Sequence, residues 1–181
     1  MCCAFYLFNK TNYLKTGMSN KSFSLFSILV IILALLFIAR KIKKNYVPSI
    51  NISHLVLKDI AGRSINMADF ADQPLVINFW GTWCGPCRQE FPDFERVKSR
   101  YSNKVNFVMV SDEPMETIIK FKETNNYTFL YAQSQIVFHD LGITAVPVTY
   151  FYNAKGKLIL KKKDLLAEKE LDDLVKELVN K

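Results

Sequence analysis

No acidic residue occurs before Asp59, and that absence locates the charge of the whole chain. The bases from Lys58 onward match the acids in number, so the net charge of +7 belongs to Lys10, Lys15, Lys21, Arg40, Lys41, Lys43 and Lys44. Several of these flank an apolar segment, so the excess is no argument for nucleic-acid binding. Histidine is almost missing: His54 and His139 stand far apart without ligand spacing. A zinc site needs about four ligands, and no metal is expected. Cysteine is sparse as well. Four in 181 residues, two of them the adjacent Cys2 and Cys3, do not make a disulfide scaffold. The fold must rest on a core, for which a hydrophobic content of 50% is ample.

What is present is concentrated between Val76 and Pro92. An apolar run fit for a buried strand, Val76-Ile77-Asn78-Phe79-Trp80, ends in Gly81-Thr82-Trp83. Cys84-Gly85-Pro86-Cys87 follows, and then a helical pattern begins. With Cys84 at the N-cap, the free N–H groups and partial positive charge of the helix end favour a thiolate there, making Cys84 the attacking sulfur. One turn of separation lets Cys87 approach bonding distance and resolve a mixed disulfide. A purely structural bridge and half of a zinc site are the competing readings of the pair.

Residues 1–22 read as an N-terminal tail with no evident role. Met18 is an alternative start that would delete Cys2 and Cys3; otherwise these are inert thiols, with acylation of the pair as the alternative. Residues 23–39 are nearly all apolar, short for a bilayer span, and bounded by Lys21 and by Arg40 to Lys44. We expect an uncleaved transmembrane anchor there. A cleaved signal peptide competes with it, but no small-x-small site follows. The charges after the span oppose an outside location for the remainder. Residues 40–53 read as basic flank and linker, and 54–181 as one folded domain.

Within that domain, Leu55 and Leu57, a turn at Asp59 to Arg63, and Ile65 and Met67 predict a small hairpin. Leu75 to Trp80 is a central strand. The helix from Cys84 carries Phe91, Phe94, Val97 and Tyr101 on one face, with Pro92 expected to kink it. Val105 to Val110 is a second strand, after which Ser111-Asp112 should cap a helix opened by Pro114. Phe129 to Ala132 reads as a short edge strand, and Ser134 to Leu141 as a short helix closed by Gly142. Val148 to Tyr152 and Leu158 to Leu160 form a hairpin around Asn153-Ala154-Lys155-Gly156. A last helix aligns Leu171, Leu174, Val175, Leu178 and Val179. The order predicts an α/β fold, a mixed sheet with helices on both faces.

Four segments in order carry a resemblance: Asn78 to Cys87, Glu90-Phe91-Pro92, Gly142 to Thr149, and Asn153 to Lys157. They resemble the thioredoxin superfamily and, within it, the TlpA/ResA-type membrane-anchored thiol-disulfide oxidoreductases. The resemblance covers about Leu55 to the C-terminus and implies a thioredoxin-like fold. It implies a protein-disulfide reductase with no cofactor beyond the redox-active Cys84–Cys87 disulfide. It implies a cis Pro147 facing the sulfurs and a substrate strand on the Val146 backbone, against the alternative of an ordinary trans proline. Trp83, Gly85 and Pro86 complete the implied substrate contacts, with Trp83 shielding the Cys84 sulfur. Thioredoxins proper carry a buried Asp where this chain has Asn78. The resemblance offers Glu90 instead as proton acceptor for Cys87, against the reading of a solvated first-turn carboxylate. The implied partners are a disulfide-containing protein substrate such as a cytochrome c apoprotein, a membrane thiol electron donor, and the bilayer through residues 23–39. The implied address is the outer, periplasmic side of the cytoplasmic membrane. A thiol-dependent peroxidase of the same fold, a cytoplasm-facing thioredoxin and a chaperone-like binding module remain as alternatives.

Overall fold

The computed structural model describes residues 20–45, 47–70 and 72–180, with side chains of the first helix described from Leu25 to Lys41. Cys2, Cys3 and Met18 lie outside the described residues. The chain divides into two compact units between Asn45 and Tyr46. The described part of the first is helix α1 (Asn20–Asn45), which contains the expected span 23–39. Among the described residues no helix is long and apolar enough to cross a membrane.

The second unit is built on strands β1 (Leu57–Asp59), β2 (Ser64–Ile65), β3 (Leu75–Phe79), β4 (Asn106–Ser111), β5 (Leu130–Ser134), β6 (Val148–Tyr152) and β7 (Leu158–Lys163). Helices α2 (Gly85–Arg100), α3 (Met115–Thr124) and α4 (Glu168–Val179) complete it. The strands make one sheet in the order β2-β1-β5-β4-β3-β6-β7. β3–β4 and β4–β5 pair parallel, β3–β6 and β6–β7 antiparallel, so the sheet is mixed as expected. β3 is buried along its whole length, as its uninterrupted apolar run requires.

The expectation of helices on both faces is corrected. Val76 and Trp80 pack with Phe91, Phe94 and Val97 of α2, Ile118 of α3, and Leu171, Val175 and Leu178 of α4, all in one cluster. The opposite cluster, around Ile77, Phe79, Val108, Val110 and Tyr150, holds no residue of α2, α3 or α4. The physical reason is the direction of travel: from β3 to β4 to β5 the chain steps the same way across the sheet, and right-handed crossovers put both connecting helices on one side. The second face is covered by the 3-10 turns Ile52–His54 and Met67–Phe70 and by Phe138 and Ile143.

Other expectations are also revised. Residues 47–53 belong to the second unit rather than to a linker: Tyr150 and Tyr152 hydroxyls donate to the carbonyls of Pro48 and Ile50, each at 2.9 Å. β5 is interior, since Leu57 and Asp59 of β1 pair with Ser134 and Ala132 and extend the sheet past it. The helix expected at Ser134 to Leu141 is a single turn. Ser134 still ends β5, its Oγ folded onto Ile136, and the Phe138 N–H goes to Asp112 Oδ2 at 2.8 Å. Gly142 (φ 75°) closes that turn as expected, with the Ile143 N–H donating to Phe138 O. Asp112 is thereby spent elsewhere, and α3 starts at Pro114 without a side-chain cap. α2 runs through Pro92 without interruption.

Candidate active site

β3 delivers the chain to a tight turn. The Trp80 N–H donates to Val110 O at 2.9 Å, and the Cys84 N–H to Gly81 O at 3.0 Å. Cys84 then takes extended backbone (φ −82°, ψ 104°) as the N-cap of α2, and its sulfur accepts the Cys87 N–H at 3.2 Å. The expected cap is thus present. Cys84 and Cys87 are joined as a disulfide, Cα to Cα 5.3 Å. Cys84 is 3% exposed and Cys87 0%, so of the two residues only Cys84 has any surface.

Gly85 and Pro86 are exposed beside the pair, as is Trp83 at 70%. The Trp83 indole folds back onto the turn: a Cβ on Gly81 would stand 2.7 Å from Nε1, so only glycine admits this packing. Trp80 points the other way into the core, its ring centroid 4.9 Å from Phe91 and 4.7 Å from Phe121.

Glu90 lies one turn along α2 from Cys87 and is wholly buried. Its Oε1 accepts from Asn78 Nδ2 at 2.8 Å and its Oε2 from the Leu166 N–H at 3.0 Å. Asn78 Nδ2 also donates to Thr149 Oγ1 at 3.0 Å. Burial pushes the Glu90 carboxyl up to about 7 against the downward pull of the Leu166 and Asn78 donors. Glu90 is therefore no solvated carboxylate. It exchanges a proton near neutral pH, the property a general acid–base group needs. Asn78 Oδ1, also buried, finds no partner among the described residues.

The Val146–Pro147 bond is cis. Phe79 pairs with Val148, so the register sets Pro147 across from Trp80, at the sheet end where the Cys84 turn begins. Val146 is half-buried, with Thr144 and Ala145 exposed before it, and Pro147 O accepts from the Asp164 N–H at 3.2 Å. Thr149, two residues on, shares its face with Asn78; strand alternation from Pro147 was the available signal for it. Leu166 acts through its backbone, for which no side-chain pattern exists. A second carboxylate, Glu113, reaches the turn from the β4–α3 connection, accepting from the Thr82 N–H and Thr82 Oγ1 at 2.6 Å each. Among the described residues no group of three or more His, Cys, Asp or Glu could hold a metal ion.

A family model, the AhpC/TSA family, matches residues 49–161. The thioredoxin-like protein YneN of Bacillus subtilis is 32% identical over 105 residues, 55% of this chain and 62% of that protein. The chain thus spans less than two thirds of that relative. The thiol-disulfide oxidoreductase ResA of Bacillus thuringiensis is 25% identical over 129 residues, 69% of this chain and 75% of the relative. Among solved structures, a thiol:disulfide interchange protein of the thioredoxin family from Chlorobium tepidum superposes with a TM-score of 0.59. It is 21% identical and covers 67% of this chain and 90% of its own, a likeness of fold.

Proposed function

Since the chain belongs to the AhpC/TSA family, a thioredoxin-like family, we propose that it is a thiol-disulfide oxidoreductase that reduces protein disulfides through Cys84 and Cys87. The observation that carries this reading is the Cys84–Cys87 disulfide at the start of α2, with Glu90 buried one turn beyond. In the reduced protein the Cys84 thiolate attacks one sulfur of a substrate disulfide, forming a mixed disulfide and expelling the other sulfur as a thiolate that takes up a proton. Glu90 takes the Cys87 proton. The Cys87 thiolate then attacks Cys84 Sγ, closing the intramolecular disulfide and releasing the second substrate thiolate. Two electrons pass to the substrate, and a dithiol donor must return them.

Gly85-Pro86 between the cysteines supports the reducing direction. Thioredoxin lies near about −270 mV and DsbA near about −120 mV, roughly 7 kcal/mol apart for two electrons. Equilibration of the chain with thiol buffers is expected to give a potential nearer the thioredoxin end; a value near the DsbA end reverses the direction. For the peroxidase alternative, the expected lone cysteine in a Pro-x-x-x-Thr/Ser-x-x-Cys context is absent from the sequence. Hydrogen peroxide consumption by the reduced chain as fast as disulfide reduction would favour that alternative.

The anchor is part of the same proposal. Leu25, Phe26, Leu29, Leu33, Leu36 and Phe37 of α1 are all exposed, an apolar surface that a bilayer would cover. Residues 54–181 then act outside the cytoplasmic membrane, on envelope disulfides that include cytochrome c apoproteins, with electrons from a membrane thiol carrier. The positive cluster at Arg40 to Lys44 opposes this orientation. Protease added to spheroplasts is expected to digest the second unit; protection would assign it to the cytoplasmic side.

A further inference from the structure

The turn that carries Cys84 is held from outside itself. Between Trp80, tied to β4, and Cys84, tied back to Gly81, stands Thr82, whose N–H and hydroxyl are both bonded to a residue outside the turn. Glu113 answers both with separate oxygens: Oε2 accepts the Thr82 N–H and Oε1 the Thr82 hydroxyl, each at 2.6 Å. Bonds of that length to a carboxylate are of the strong, charge-assisted kind.

Glu113 is itself fixed. Ser111 Oγ donates to Oε2 at 3.1 Å and accepts the Glu113 N–H at 3.2 Å, while Gln133 Nε2 of β5 donates to the Glu113 carbonyl at 3.0 Å. A carboxylate placed by β4 and β5 therefore grips the residue two before the nucleophile, and Trp83 folds onto Gly81 directly after the gripped residue.

We propose that Glu113 is the positioning residue of the Cys84 turn, holding Thr82 so that Cys84 sits at the N-cap of α2 where its thiolate is stabilised. The proposal rests on the thiol-disulfide reading above. Position and charge act in opposite directions here, which makes them separable. Losing the grip lets Cys84 drift from the helix end, so its thiolate forms less readily; losing a nearby negative charge alone makes the thiolate form more readily.

The test uses the full chain in its reduced form, with two readouts: the rate of insulin disulfide reduction and the pH midpoint of Cys84 alkylation by iodoacetamide. Glu113→Ala is expected to slow reduction about tenfold or more and to raise the midpoint by about half a unit or more. Glu113→Gln retains an oxygen for the N–H and an amide that can donate to the hydroxyl oxygen, and is expected to stay within about threefold of wild type. Thr82→Val, which removes one of the two contacts and no charge, is expected to move both readouts the same way as Glu113→Ala, by less. A Glu113→Ala chain that matches wild type, or whose midpoint falls, overturns the proposal. So does a Glu113→Gln chain as impaired as Glu113→Ala. If the wild type itself fails to reduce insulin, the functional reading fails first and this one with it, an outcome recognisable because no variant then shows a rate.

Discussion

Cys84→Ser is expected to abolish disulfide reduction, with a loss of at least about a thousandfold, whereas Cys87→Ser is expected to stop midway and accumulate a mixed disulfide with the substrate. The asymmetry follows from geometry. Cys84 alone has any surface, and it alone occupies the N-cap, where its sulfur accepts the Cys87 N–H. Attack on a bulky protein disulfide must therefore come from Cys84, and a serine hydroxyl there is too weakly acidic to replace the thiolate. Cys87 has no exposure and reaches only Cys84, so its loss leaves the first step intact and removes the second. A non-reducing gel of Cys87→Ser mixed with oxidised substrate should show a dithiothreitol-sensitive adduct. Retention of a tenth or more of wild-type activity by Cys84→Ser would refute the assigned order.

The second large effect belongs to Glu90. A folded-state value of about 7 against an ordinary 4.5 means that the folded chain holds this proton more tightly than the unfolded chain does. The resulting stability is fully present below about pH 4.5 and is lost as pH rises through about 7. At about 1.4 kcal/mol per unit, the loss is about 3 kcal/mol. Glu90→Gln should remove that part of the slope. Its oxygen can serve the Leu166 N–H, and its amide can donate to Asn78 Oδ1 once the Asn78 amide turns over, giving that buried oxygen a partner. Urea unfolding at pH 5 and pH 8.5 is expected to show wild type losing about 2 to 3 kcal/mol between the two and Glu90→Gln nearly none. In single turnover the variant should also lose the inflection near pH 7 and resolve the mixed disulfide more slowly. Parallel slopes for the two proteins would remove Glu90 from both the linkage and the proton transfer.

Local spacing made the centre of this site legible. Cys84, Cys87 and Glu90 are each three apart on one helix, and the Gly-Pro between the cysteines marks a helix start. The cis Pro147 came through resemblance of its segment to a known family, a warrant that no propensity supplies. What stayed hidden was non-local. Asn78 meets Thr149 across 71 positions, and Thr82 meets Glu113 across 31. Periodicity of the helices showed that each buries one face, but which face of the sheet receives it depends on strand order, and strand order leaves no mark in a local pattern. The same ignorance turned β5 into an expected edge. At Ser134 to Leu141, the apolar pattern was real and Phe138 is buried, but Asp112, distant in sequence, captures the Phe138 amide and confines the segment to one turn.

The Cys84–Cys87 bridge encloses only Gly85 and Pro86, so as a crosslink it restricts the unfolded chain much less than a bridge across a long loop would. The loop-closure entropy of so small a ring stabilises by about 2 kcal/mol, against about 4.7 for a hundred-residue loop. For two electrons that is equivalent to roughly 40 mV. Opening the bridge therefore leaves the two apolar clusters to hold the sheet. In the proposed cycle, opening and closing the bridge changes the cohesion of the fold by about that amount, and the two apolar clusters supply the rest.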